Sequence, residues 1–545
     1  MRSVRCPILL LTGCVLLSMG APSASGATIS NTTCVDHDNA AIQRPPDGSP
    51  PTIQGHSMDA LLFDPLAHVF DVPDKVLLIP GAFGAHTPRE AVDVNAYDEV
   101  PNSSWFTNRN HVRAVPVAEL RQGPDSAVVP AKPWTIEHLK GGGMSTGFWI
   151  KDAAGKRWLV KLDPSGGPQL SSGADKIART LLHAAGYNVP HNEPVGFRRS
   201  DLAISAELLR GAKGKHFSDA DLDSLLTRAP QLSDGSYSAL ASLALSGHVL
   251  GAPSMKHRRP GDSNDWYTHT NRRELRGLYV ICSWIGDWDV KEENFVDVFE
   301  TEREGTGYVE HYILDAGSSL GAQADGPKDP QWGYEGVFDL GAIGRRVVTL
   351  GFTEDPWRRA HQESGIPSVG NFGPHEFNPG RFVTEVEDPA FRALTDRDAY
   401  WGAKIVASFS DPQIAAAVEA AGYEDPRASA YVTRTLEERR DKVVRYWFDR
   451  VAPLDFFTVD YGVVRFHDLA VDRGLCPPRS YVAEARSHGS IQHIRLPSPQ
   501  LPLQALHGPG PFEVELTIDG SHAKPARLDL VRTGDAFTVR RVRHG

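Results

Sequence analysis

The stretch Ile285–Ser319 constrains this chain more than any other, because it sets chemically loaded side chains in a fixed order. Asp289 is followed two residues later by Lys291 and five residues later by Asn294. A short polar excursion comes next, then the apolar run Tyr312-Ile313-Leu314, then Asp315-Ala316-Gly317. Metal-assisted phosphoryl transfer needs such an order. An acid orients the attacking hydroxyl, an Asn serves the metal, and a strand ends in Asp-x-Gly whose carboxylate holds Mg²⁺. The structural alternative is that Asp289 and Asn294 only shape a turn, as such residues commonly do. Against that, Trp284, Trp288 and Phe295 crowd the carboxylates between apolar runs. Charge buried there is costly unless a metal or partner offsets it.

Upstream, the text turns strand-like near residue 136. Thr135–Leu139, Phe148–Asp152 and Arg157–Leu162 read as strands, with a Gly-rich turn at Lys140-Gly141-Gly142-Gly143. Gly142 and Gly143 are expected to let backbone N–H groups approach phosphate, and Lys161 to offer it a point charge. A helix is predicted over Ser172–Ala185, from Ala174, Ile177, Ala178, Leu181, Leu182 and Ala185 at helical spacing, with Gly186 as its stop. Asp175 near its start has two readings: a partner for Lys161, or a solvated first-turn acid favoured by the helix dipole. Further strands are expected at Asp201–Ser205 and Tyr237–Leu245, with a short helix between them from Ser218. Ser246-Gly247-His248 takes the place of a hinge. Another helix, about Thr270 to Ile285, leads into Asp287-Trp288-Asp289. Helices resume at Asp396–Ser408, Asp411–Ala421 and Ala428–Phe448, and from about Ala452 the text is strand-like to the end.

The chain has 545 residues, a net charge of -11 and a pI near 6. A general nucleic-acid binder needs an excess of Lys and Arg, so that class is excluded. Arg2 and Arg5, the apolar Pro7–Met19 and the small-residue stretch Ala21–Ala27 read as an export leader, which would place the protein in the periplasm, at the envelope or outside the cell. A competing pattern is Leu11-Thr12-Gly13-Cys14, which would put a lipid anchor on Cys14. No later run is long enough to span a bilayer. Beyond the leader, Cys34, Cys282 and Cys476 remain. Cys282 sits in an apolar run and reads as a buried hydrophobe, while Cys34 with Cys476 would make a disulfide.

Arg272–Gly277, Asp289–Asn294, His311–Gly321, Asn95–Asn108 and Lys161-Leu162-Asp163-Pro164 resemble an uncharacterised family of exported bacterial proteins. More remotely, the layout from about 140 to 320 resembles atypical kinases of the HipA and spore-coat CotH kind. The resemblance implies an α+β fold with a two-lobed protein-kinase-like core. A β-rich small lobe (136–250) and a mainly helical large lobe (251–452) would follow a leader (1–27) and an irregular extension (28–135). A small all-β domain (453–545) would close the chain. Carried over by position, Asp289 is the base, Asn294 and Asp315 are metal ligands, and Lys161 binds phosphate with Asp175 as its partner. Lys291 would neutralise charge on the transferred group. The implied cofactors are Mg²⁺ or Mn²⁺ with ATP or another nucleotide, and the acceptor is an unidentified hydroxyl on a protein or small molecule. Asp289 is not preceded by His-Arg, Ala316 stands where Phe is usual, and the glycines do not fit Gly-x-Gly-x-x-Gly. Two rivals follow: a degenerate kinase fold used as an envelope scaffold, and a metal-dependent hydrolase built on Asp287, Asp289 and Asp315.

Overall fold

The computed structural model describes residues 35–48, 89–124, 128–141, 144–210, 216–303, 305–329, 331–336, 348–349, 364–534 and 536–545. The leader, Cys14, Cys34, Gly142 and Gly143 lie outside the described residues, so the expectations placed on them do too.

After a two-residue strand, β1 (Ile42–Gln43), the expected run of strands forms one six-stranded sheet. Its members are β2 (Trp134–Leu139), β3 (Gly147–Lys151), β4 (Arg157–Leu162), β5 (Asn192–Phe197), β6 (Leu202–Ile204) and β7 (Tyr237–Leu243), in the order β5-β7-β4-β3-β2-β6. Trp134, Ile136, Phe148, Ile150, Trp158 and Val160 are buried and fall two residues apart on each strand, so one face supplies an apolar core. β5 was not anticipated. Its Pro194 and Gly196 argue against a strand, but it lies at the sheet's edge, where a missing N–H costs no ladder bond.

Helix α1 (Leu170–Ala185) buries the predicted apolar positions. No side chain of its own N-cap residue closes its first turn. Instead Asp163, just past β4, accepts from the Ser171 and Ser172 N–H groups at 2.9 and 2.8 Å. α2 (Asp219–Leu226) is capped by Ser218, as expected.

At Ser246-Gly247 the chain leaves the first sheet. His248 is not part of a hinge: it opens β8 (His248–Gly251), which pairs with β9 (Phe295–Arg303) in a sheet ordered β1-β10-β9-β8, where β10 is Thr306–Ile313. Helix α3 (Arg273–Ile285) is buried along nearly its whole length. It packs on α4 (Asp396–Ala407) with almost no clearance. A Cβ on Gly277 would lie 2.6 Å from the Trp401 ring, and one on Gly402 2.7 Å from the Gly277 carbonyl. The two glycines thus set the spacing of the helices. α5 (Asp411–Glu419) and α6 (Pro426–Phe448) complete the helical core. The described residues of the N-terminal segment carry little regular structure beyond β1 and a short helix at Val117–Gln122, yet they are not peripheral. Trp105 and Phe106 are buried, and Trp105 stacks on His311 of β10 at 3.8 Å.

The C-terminal strands are β11 (Leu454–Asp460), β12 (Val463–Asp468), β13 (Tyr481–Ser487), β14 (Ser490–Leu496), β15 (Gln500–Pro502), β16 (Phe512–Ile518), β17 (Ala526–Thr533) and β18 (Ala536–His544). They form a three-stranded sheet, β11-β12-β15, and a five-stranded sheet, β14-β13-β16-β17-β18, around an apolar core of their own. Buried charge ties this region to the helices. Asp98 meets Arg273 at 2.6 Å, Arg397 at 2.7 Å and His544 of β18 at 2.9 Å. Asp398 meets Arg273 at 3.1 Å and Arg276 at 3.0 Å. Among the described residues, no helix is long and apolar enough to cross a membrane. Cys282 is buried, and both it and Cys476 are free thiols.

Candidate active site

The β9–β10 hairpin does the positioning. Ile313 lies opposite Phe295, so the residue before β9 and the residue after β10 are neighbours. The Leu314 N–H donates to the Asn294 carbonyl at 2.7 Å, which holds the Asp289–Asn294 loop beside Asp315. Both flanks return to the end of α3. Gly286, at φ +68°, turns the chain out of the helix toward Asp287, Trp288 and Asp289. The Leu320 N–H donates to the Ile285 carbonyl at 2.9 Å. Trp288 stacks on Trp332 and walls the loop on one side.

Lys161 reaches this cluster from β4. Its Nζ donates to Asp315 Oδ2 at 2.7 Å, across 154 residues of sequence. The Gly317 N–H donates to the other oxygen, Oδ1, at 3.0 Å. Burial alone would raise the Asp315 carboxyl, but Lys161, and Arg179 after it, outweigh burial and hold it below the usual carboxylate range. Its side chain is 38% exposed against 14% for Lys161, so Asp315 is the accessible member of the pair.

Asn294 donates from Nδ2 to the Asp289 carbonyl at 2.5 Å, which leaves its Oδ1 as the atom to offer a cation. Lys291 Nζ lies 2.6 Å from Asp289 Oδ1 and 3.4 Å from Glu385 Oε2. Burial raises the Asp289 carboxyl; Lys291 opposes this, Glu385 adds to it, and the outcome is a value of about 6.

Asp175 is buried but does not pair with Lys161. Its Oδ1 accepts from Arg179 Nε at 2.6 Å and from Asn192 Nδ2 at 2.7 Å, while its Oδ2 is buried without a partner. The solvated first-turn reading fails as well, because the side chain is inside. Helical spacing explains the outcome: Arg179 is one turn on from Asp175 and on the same face. Arg179 also donates to the carbonyls of Ile313, at 3.1 Å, and Leu314, so α1 grips the end of β10.

Three further groups belong to the site. Asp287 is buried, and among the described residues no Lys or Arg lies within ion-pair distance of it. Burial, then the charges of Asp289, Asp315 and Asp175, push its carboxyl up to about 8. Lys140, at the end of β2, donates to the Ser145 carbonyl at 3.0 Å across the Gly-rich turn. Its ammonium is pushed down by burial and by nearby Lys161. Glu385 is the second acid on Lys291. Lys140 was legible as the residue before three glycines. Glu385 carried no signal, because it arrives from a loop 94 residues beyond Lys291.

These residues suit a hard divalent cation. Such ions take oxygen ligands and, with nucleotides, need only one or two carboxylates beside phosphate and water. Asp315 and Asn294 offer such oxygens, and the unpartnered Asp175 Oδ2 and uncompensated Asp287 leave the cluster short of positive charge. Among the described residues, no group of three or more His, Cys, Asp and Glu side chains forms a ready metal cage.

No protein-family model matches the chain, and no match is found among curated proteins. Some solved structures align with part of it. The Helicobacter pylori proinflammatory kinase CtkA aligns over 59% of this chain and 97% of its own, at 10% identity and a TM-score of 0.31. The Golgi casein kinase with Mn and ADP bound aligns over 59% of this chain and 72% of its own, at 11% identity and a TM-score of 0.30. A second Golgi casein kinase structure gives 59%, 71%, 9% and 0.29 for the same measures. Likenesses this remote carry no weight beside the geometry above.

Proposed function

We propose that this chain is an exported, atypical kinase-like phosphotransferase. It uses a divalent cation, Mg²⁺ or Mn²⁺, and ATP or another nucleotide. It transfers a phosphoryl or nucleotidyl group to a hydroxyl acceptor. The observation that carries this reading is the Lys161–Asp315 contact of 2.7 Å. It joins a strand of the first sheet to the loop that follows the β9–β10 hairpin, beside Asn294 and Asp289. Unlike the closed ion pairs elsewhere in the molecule, this one lies beside carboxylates that lack a compensating cation, an arrangement suited to a metal–phosphate pair.

The chain's own residues divide the work as follows. Lys161, with Lys140 beside it, binds phosphate oxygens as point charges. Asp315 and Asn294 hold the cation, which, when bound, neutralises charge on the transferred group. Asp289, with a carboxyl near 6, is ionised at neutral pH and accepts the acceptor hydroxyl's proton. The hydroxyl oxygen then bonds to phosphorus as the bond to the nucleotide's bridging oxygen breaks. Lys291 sits where it can offset the growing charge.

Thermal unfolding with and without Mg²⁺ and ATP tests the reading. At 100 times its Kd a ligand stabilises by about 2.7 kcal/mol, which is a measurable rise in midpoint. The rise should need both metal and nucleotide and should vanish in Asp315→Ala. No rise with any nucleotide would sink the proposal in favour of a scaffold.

A further inference from the structure

The helix acid has an oxygen with nothing to do. Asp175 is fully buried, and its Oδ1 is already committed to Arg179 and Asn192. Its Oδ2 has no hydrogen-bond partner and no solvent. A buried, unpaired carboxylate oxygen is costly unless something arrives to meet it. That oxygen and Asp315 Oδ1 both lie close to Gly317. A Cβ built on Gly317 would lie 3.3 Å from Asp315 Oδ1 and 4.0 Å from Asp175 Oδ2, with no other neighbour inside 4 Å. Gly317 therefore keeps a gap between two carboxylates. Its backbone is not in the left-handed region, so conformation alone does not require glycine there. Arg179 fixes both sides of the gap, because it holds Asp175 through Nε and the Ile313 and Leu314 carbonyls through its terminal nitrogens.

We propose that Asp175 is a ligand of the divalent cation, not the anchor of the phosphate-binding lysine. Asp175 Oδ2 and Asp315 Oδ1 would hold the ion from opposite sides of the space beside Gly317. This rests on the cation of the phosphotransferase reading but assigns it a ligand from α1, a different element. Lys161 then needs no helix acid, because Asp315 alone holds it.

The test is direct binding of Mn²⁺ to the purified protein, followed by the paramagnetic signal of the free ion, without nucleotide. Metal-free ADP binding is measured in parallel. Asp175→Asn keeps an oxygen for Arg179 and Asn192 while removing the charge at Oδ2. It is expected to weaken Mn²⁺ roughly 10- to 100-fold, the scale of losing a supporting metal contact. Metal-free ADP binding should be unchanged. Gly317→Ala removes no carboxylate but places a methyl in the gap, and it should weaken Mn²⁺ in the same direction. Unchanged Mn²⁺ affinity in a folded Asp175→Asn protein overturns the proposal. Equal losses of Mn²⁺ and metal-free ADP also overturn it, since they mark an acid that anchors Lys161. If Asp175→Asn fails to fold, Gly317→Ala decides alone. A parent protein that binds no Mn²⁺ overturns the proposal as well. Mn²⁺ binding that depends on Asp175, in a protein that takes no nucleotide, would support the ligand and sink the phosphotransferase reading.

Discussion

Two clusters of buried charge lie at the two ends of α3, and they are built on opposite rules. Around Asp98 and Asp398, three guanidiniums and an imidazole face two carboxylates at 2.6–3.1 Å. Burial alone would raise Asp98, yet Arg273, His544 and Arg397 outweigh it and hold the carboxyl well below its ordinary range. Around Asp289, four aspartates (Asp175, Asp287, Asp289 and Asp315) share Arg179, Lys161 and Lys291. Asp287 is driven up to about 8 and Asp289 to about 6. The first cluster is paired and closed, which is how a protein uses charge to join segments. The second is left short of positive charge, which is how it keeps a place for a cation.

The difference can be broken from either side. The largest expected effect is on turnover. Asp289→Asn should cut transfer by ~10²–10⁴-fold, the usual worth of a general base, without lowering the unfolding midpoint. Assays of both quantities on one preparation check this, and a variant of full activity would remove Asp289 from the chemistry. Next comes stability at the closed cluster. Arg273→Ala strands Asp98 and Asp398 without their shared partner, so it should cost about 3–5 kcal/mol in denaturant unfolding. A loss well under 1 kcal/mol would mean that the cluster does not hold the segments together.

The smallest effect is the one most particular to the open cluster. A carboxyl raised by folding binds its proton more tightly in the native state, so it destabilises the fold as pH rises. For Asp287 that window runs from about 4, the unfolded value, to about 8. Asp287→Asn should therefore stabilise the metal-free protein, by on the order of 1 kcal/mol or more at pH 8 and by little at pH 4, where the unfolded carboxyl begins to protonate. Unfolding curves at the two values decide it. An equal change at both would show that Asp287 is not the group under strain.

Much of this was legible in the sequence because it was local. Ser218 caps its helix and the strands expected between 135 and 162 form, whereas the hairpin that joins the Asp289…Asn294 loop to Asp315 appears only in the structure. The misses were of two kinds, one local and the rest non-local. The kinase-like pattern pairs Asp175 with Lys161, but Arg179, one helical turn away, takes it instead. β5 hid behind Pro194 and Gly196 because edge position, which excuses them, is a property of the finished sheet. His248 was taken for a hinge residue because nothing in its neighbourhood names β9 as its partner. The ion pairs of Asp98 join segments more than a hundred residues apart, and single-chain spacing carries no trace of them.

The hairpin also fixes the order in which the pocket comes into being. Asp289 and Asp315 are 26 residues apart and are brought together by zipping one hairpin, whereas Lys161 must close a loop of 154 residues to reach Asp315. Closing the longer loop costs about 1.6 kcal/mol more in chain entropy. By loop length alone the acids are expected to gather before their lysine arrives, so the folding chain would pass through a moment of greater self-repulsion than the finished protein has. Ions or protons that quiet that repulsion should hasten the last step of folding.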